Sequence, residues 1–101
     1  MSEKDVAGVL GLAQKAGKIS SGDLGVKDAL AVGKAKLLII AADASPNTVK
    51  ELVFLAEKAS VPVITCMQRG ELGLCIGKAP RAAVAVLDKG LAGLVMKKWN
   101  I

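Results

Sequence analysis

In LLIIAADASPNT, residues 37–48, an unbroken apolar run stops at an acid and passes at once into a helix start. Its short length, its Leu and Ile density and its polar stop predict a strand over residues 37–41, buried on both faces. Ser45 is placed to cap the next helix, with Pro46 at its first position, where a missing N–H costs nothing. The joint leaves Asp43 and several backbone N–H groups at the carboxyl end of a strand, where open α/β sheets bind their ligands.

Outward from this joint the periodicity alternates between helix and strand. Val6, Val9, Leu10 and Ala13 recur at helical spacing, and Gly17 closes that helix with Lys15 and Lys18 near its negative end. Residues 19–21 read as a short strand, and Asp23 as the cap of a second helix with Val26, Ala29 and Leu30 as its stripe and Gly33 as its stop. A third helix carries Val49, Leu52, Val53 and Ala56 on one face. A strand over 61–66, a short helix through Leu72 and Ile76 ending at Gly77, a strand over 82–87 and a helix lined by Leu91, Leu94 and Val95 complete the chain. This order predicts one domain over residues 1–101: a three-layer α/β/α sandwich around a mostly parallel sheet of about four strands. Leu12, Phe54, Leu55 and Met96 fall off the stripes, either packed on a second side of their helices or forming a partner surface.

With 52% apolar residues in 101, the chain can fill a single core. No apolar run is long enough to span a bilayer, and the opening MSEKD is polar, so no membrane and no secretory signal is expected and the protein reads as cytoplasmic. The net charge of +5 points to a polyanion, although a small domain also uses such a charge for solubility. Cys66 and Cys75 lack CxxC spacing, and there is no histidine to complete a metal site, so both read as reduced, buried thiols, with a disulfide or a ligand pair as the alternative.

Catalysis has little to work with. The absence of His and Tyr removes the commonest acid–base groups and excludes a serine triad. GLAQKAGKI, residues 11–19, fails as a phosphate loop because five residues separate Gly11 from Gly17 and Ile19 stands at the magnesium-binding hydroxyl position. Asp23, Asp43 and Asp88 flank strand ends, where capping and turn formation are the ordinary roles and a shared metal the alternative. No cofactor is expected.

Phe54 and Trp99, the only aromatics, are too few for a base-stacking platform. Three segments suit folded RNA instead: residues 20–27 and 42–47 offer helix N-termini, and 77–81 offers Lys78 and Arg81 around a compact Gly and Pro turn. For each, a satisfied cap or a solvated loop is the alternative.

The element order, with SSGDLGVKDAL, AKLLIIAADASPNTVK, PVITCMQRGELGLCIGK and RAAVAVLD, resembles the kink-turn-binding ribosomal protein superfamily of the L-seven-Ae and L-thirty-e type, closest to its bacterial YlxQ-like branch. The resemblance implies a monomer that grips a kinked internal loop in ribosomal or messenger RNA, with a ribosomal or translation-factor protein as a further partner. In such proteins the start of the second helix reads guanine edges, and the loop before the last strand packs on an extruded base. Carried over, Gly22 matches the glycine entering the reading helix, and Asp43 matches the acid after the central strand. Lys78 and Arg81 match basic positions of the last loop, where the usual apolar insertion is reduced to Ala79 and Pro80 after Gly77.

The polar pair expected after the glycine is replaced by Leu24 and Gly25, which cannot hydrogen-bond a base edge, so discrimination of about 1–3 kcal/mol per contact is lost. Asp23 and Lys27 are the nearest polar substitutes. Two readings follow. Either structured RNA is held by phosphate contacts from Lys18, Lys27, Lys36, Lys78 and Arg81, or the chain is a ribosome-associated protein-binding module whose apolar surface is Leu24, Phe54 and Leu55.

Overall fold

The computed structural model describes residues 3–99, so Met1 and Ser2 of the polar opening lie outside the described residues. Its elements run α1 (Glu3–Lys15), β1 (Ile19–Ser21), α2 (Asp23–Ala31), β2 (Leu37–Ile40), α3 (Pro46–Lys58), β3 (Val63–Thr65), α4 (Arg69–Cys75), β4 (Ala83–Val86) and α5 (Lys89–Lys98). All four residues of β2 and all four of β4 are buried, as the uninterrupted apolar runs require.

Strand alternation sorts these side chains into two cores. Leu37, Ile39, Val84 and Val86 pack beneath α1, α4 and α5 together with Val6, Leu10, Leu72 and Val95. Leu38, Ile40, Ala83 and Ala85 face α2 and α3, meeting Val26, Leu30, Leu52 and Ala56. The three-layer α/β/α sandwich is therefore present. Ser45 accepts the Thr48 N–H on its side-chain oxygen at 3.3 Å, and Pro46 opens α3. Of the off-stripe residues, Leu55 and Met96 pack against the cores, whereas Leu12 and Phe54 stay 56% and 59% exposed.

The expected mostly parallel sheet is corrected to a mixed one. Its strand order is β1-β4-β2-β3, with β2 parallel to β3 and β4 antiparallel to both β1 and β2. The reason is the length of the connection before β4. A parallel return must carry the chain back along the whole strand, but α4 has seven residues, about 10 Å of helix. The chain instead stays at the carboxyl end of β3, where Arg81 N–H donates to the Arg69 carbonyl at 3.1 Å and Ala41 N–H to the Ala82 carbonyl at 2.8 Å. It re-enters the sheet from there, inserting β4 between β1 and β2 in the opposite sense.

Candidate nucleic-acid interface

Because β4 enters where β1, β2 and β3 leave, four connections meet at one end of the sheet: residues 22–25, 41–47, 66–68 and 77–82. Side chains lock them together. Arg81 donates from Nε to Ser21 Oγ at 3.3 Å and from Nη1 to the carbonyls of Ala79 and Pro80 at 3.1 and 3.3 Å. Its backbone N–H reaches Arg69, and Arg69 in turn donates its backbone N–H to Asp43 Oδ1 at 2.8 Å and its Nε to Oδ2 at 3.5 Å. A continuous path from Ser21 through Arg81 and Arg69 to Asp43 thus spans the end of the sheet. Glu3 adds a tie from α1, accepting the Met67 N–H at 2.9 Å where Met67 takes a positive φ of 67°.

The loop carrying Lys78 is seated on α4 by close backbone approach. A Cβ added to Gly73 would lie 2.1 Å from the Ala79 carbonyl oxygen, so only glycine admits this contact. Gly77, Lys78, Ala79 and Pro80 are exposed, while Arg81 is half-buried under its own hydrogen bonds.

The start of α2 lies alongside. Its N-cap is Gly22, not Asp23 as the sequence led us to expect, because the chain turns there at φ 83° and ψ 165°. That conformation is essentially restricted to glycine, which is the physical reason for glycine at this position. No side chain caps the α2 N-terminus, so its first N–H groups, at the positive end of the helix dipole, have no side-chain acceptor. Asp23 instead pairs with Lys27 at 3.0 Å, and Lys27 also meets Glu51 at 2.6 Å. Hydrogen bonds to Glu51 and then Asp23 raise the Lys27 pKa, so its charge is permanent but already countered by two carboxylates. Between the starts of α2 and α3 a cleft of about 310 Å³ is lined by Asp23, Asn47, Thr48, Glu51, Ala82 and Ala83. Leu24, next in sequence to Asp23, is 73% exposed, and Gly25 is half-buried.

Lys18 and Lys36 do not join this constellation. The Leu87 N–H donates to the Lys18 carbonyl and the Lys36 N–H to the Val86 carbonyl, each at 2.8 Å, which places both lysines at the opposite end of the sheet, about 13 Å of strand away. Among the described residues, no group of His, Cys, Asp and Glu is arranged to hold a metal. Asp88 caps α5 by accepting the Leu91 N–H at 2.8 Å. Cys66 is buried and Cys75 half-buried, both free, and burial pushes the Cys66 thiol up to about 11. Sequence reading missed Ser21, Arg69 and Gly73. Nothing in the sequence set Gly73 apart, since Gly70 in the same helix has nothing within 4 Å of its Cβ position.

Residues 4–95 match the Ribosomal protein L7Ae/L30e/S12e/Gadd45 family, and the chain belongs to that family. It is 41% identical over 85 residues to the RNA-binding protein YlxQ of Bacillus subtilis (strain 168), covering 83% of this chain and 84% of that one. It is 35% identical over 89 residues to the large ribosomal subunit protein eL8 of Picrophilus torridus, covering 87% and 70%. A solved structure of a protein of unknown function from Bacillus halodurans superposes with a TM-score of 0.90 at 29% identity over 95% of this chain and 97% of that one. The Giardia lamblia 15.5kD RNA binding protein shares the fold, with a TM-score of 0.81 at 24% identity over 93% and 81%.

Proposed function

We propose that this protein binds structured RNA without catalysis, through the end of the sheet that carries the α2 N-terminus and the 77–81 loop. The observation that carries the reading is the hydrogen-bonded path from Ser21 through Arg81 and Arg69 to Asp43, which ties the exposed Lys78 loop to the same end of the sheet as the uncapped helix start. Phosphates suit both parts, the helix N–H groups by hydrogen bonding and Lys78 and Arg81 by charge. The RNA-binding and ribosomal relatives support RNA as the polymer.

On this reading the RNA is a kinked internal loop in ribosomal or messenger RNA, bound by a cytoplasmic monomer that serves the ribosome or translation, and the RNA-binding and ribosomal relatives support it. Leu24 and Gly25 give it weak base readout, so backbone geometry carries selectivity. Lys27, held by Asp23 and Glu51, contributes less to phosphate binding than Lys78.

The test is the salt dependence of RNA affinity in Lys78→Ala and in Lys78→Ala with Arg81→Ala. The double change should weaken binding across RNA sequences and flatten the log–log salt slope by about 1 to 2. An unchanged slope in a folded double variant places the contact elsewhere. A protein-binding module is the second reading, favoured by one observation: Phe54 lies exposed on α3 in an apolar groove with Val49 and Val53. Such a contact would barely respond to salt.

A further inference from the structure

Lys18 and Lys36, which stand apart from the site above, share their end of the sheet with Lys15, Lys34, Lys58 and Lys89. There α1, α2 and α3 end and α5 begins. The carboxylates nearest this end are Asp28, Glu57 and Asp88, so six lysines against three acids leave +3 of the chain's +5. Among the described residues none of these lysines forms an ion pair, whereas Lys27 and Arg69 at the other end do.

Lys15 and Lys58 close α1 and α3, where a cation is the ordinary complement of the helix dipole. Lys18 follows the end of α1 in the same way, and Lys36 donates from Nζ to the Gly33 carbonyl at 3.4 Å just past the end of α2, whereas Lys89 stands in the first turn of α5, where the dipole disfavours a cation. Lys36 and Lys89 also line one groove of about 450 Å³, together with Ser60 and the apolar side chains of Val61, Pro62 and Met96.

We infer that this end is a second RNA-binding surface that takes the ribose–phosphate backbone of a separate, single-stranded segment. Lysines placed as point charges suit phosphates, and the apolar lining between Lys36 and Lys89 suits the faces of sugars and bases. The molecule measures 27 × 26 × 24 Å, so a bent RNA seated at the first end leaves the second free, and the protein ties two RNA segments together. The inference adds a site to the proposed function and rests on that reading only for the choice of RNA as the polymer.

The experiment follows a short fluorescent oligouridylate by anisotropy, with free protein and with protein saturated by an unlabelled kink-turn hairpin. The oligouridylate should bind both forms within twofold. Lys36→Ala with Lys89→Ala should weaken it about tenfold and lower its salt slope by about 1.4, while the hairpin affinity moves less than twofold. Lys50→Ala with Lys97→Ala, which removes the same charge elsewhere, should weaken it less than threefold. Displacement of the oligouridylate by the hairpin, or equal losses in the two double variants, overturns the inference. If the hairpin does not bind at all, the proposed function fails, and the comparison of the two double variants still decides the second surface.

Discussion

Asp43 holds Arg69 twice, accepting its backbone N–H at 2.8 Å and its guanidinium Nε at 3.5 Å. The acid that ends the central strand thereby serves the N-terminus of α4, a helix that begins 26 residues later. The ion pair is solvent-exposed and weak, so the backbone contact carries most of the effect. Asp43→Ala should cost about 1–2 kcal/mol in urea denaturation, and Asp43→Asn, which keeps an acceptor oxygen, about half as much. Equal losses would show that the ion pair dominates.

Gly73 admits the Ala79 carbonyl, and Gly93 has open space around its Cβ position. Gly73→Ala should therefore destabilise by about 1–3 kcal/mol and shift the amide resonances of residues 77–81. Gly93→Ala, on the exposed face of α5, should stabilise by about 0.5–1 kcal/mol. A neutral Gly73→Ala would mean that the loop does not rest on α4 as described.

The layers of this fold were legible because each depends on local pattern. The buried run of β2, the Ser45 cap and the stripes of Val6, Leu10, Leu52 and Ala56 all appear where spacing places them. The sense of β4 was not legible, since it depends on how far a short connection can carry the chain, and nothing in the residues of β4 records its direction. At the candidate site the sequence marked Gly22, Asp43, Lys78 and Arg81 as separate features. Their linkage through Ser21 and Arg69 joins residues as much as 60 positions apart, beyond any local pattern. Charge alone groups Lys18 and Lys36 with Lys78 and Arg81, whereas the topology puts them at the other end of the sheet.

Leu24 and Gly25 occupy the turn of α2 where base readout is expected. Leu24 is exposed, and a Cβ at Gly25 would meet only Ser20 Cβ at an ordinary 3.9 Å. Leu24→Asn with Gly25→Glu should therefore fold normally and raise the preference for kinked over straight RNA about five- to tenfold, the equivalent of roughly 1 kcal/mol or a little more. A flat preference in the folded variant would show that side-chain readout at this turn does not limit selectivity.

Burial holds the Cys66 thiol protonated up to about pH 11, against 9.0 for an ordinary cysteine. The unfolded chain thus releases its proton first as pH rises, and stability falls between these values, by at most about 1.4 kcal/mol per pH unit. Below pH 9 this group contributes no pH dependence. Cys66→Ala should flatten the decline seen in denaturation curves across that window, although it removes some packing. A decline of the same steepness in Cys66→Ala would assign it to other groups.

The most direct measurement is the affinity of the protein for a kink-turn RNA and for a straight duplex of equal length, at low and at physiological salt. If the proposed function holds, binding of the kinked RNA is tighter at both, with the preference persisting as salt rises, since contacts from the α2 N-terminus and the 77–81 loop to phosphates depend on backbone shape. Equal affinities that collapse together with salt would contradict the account, leaving only a general electrostatic surface.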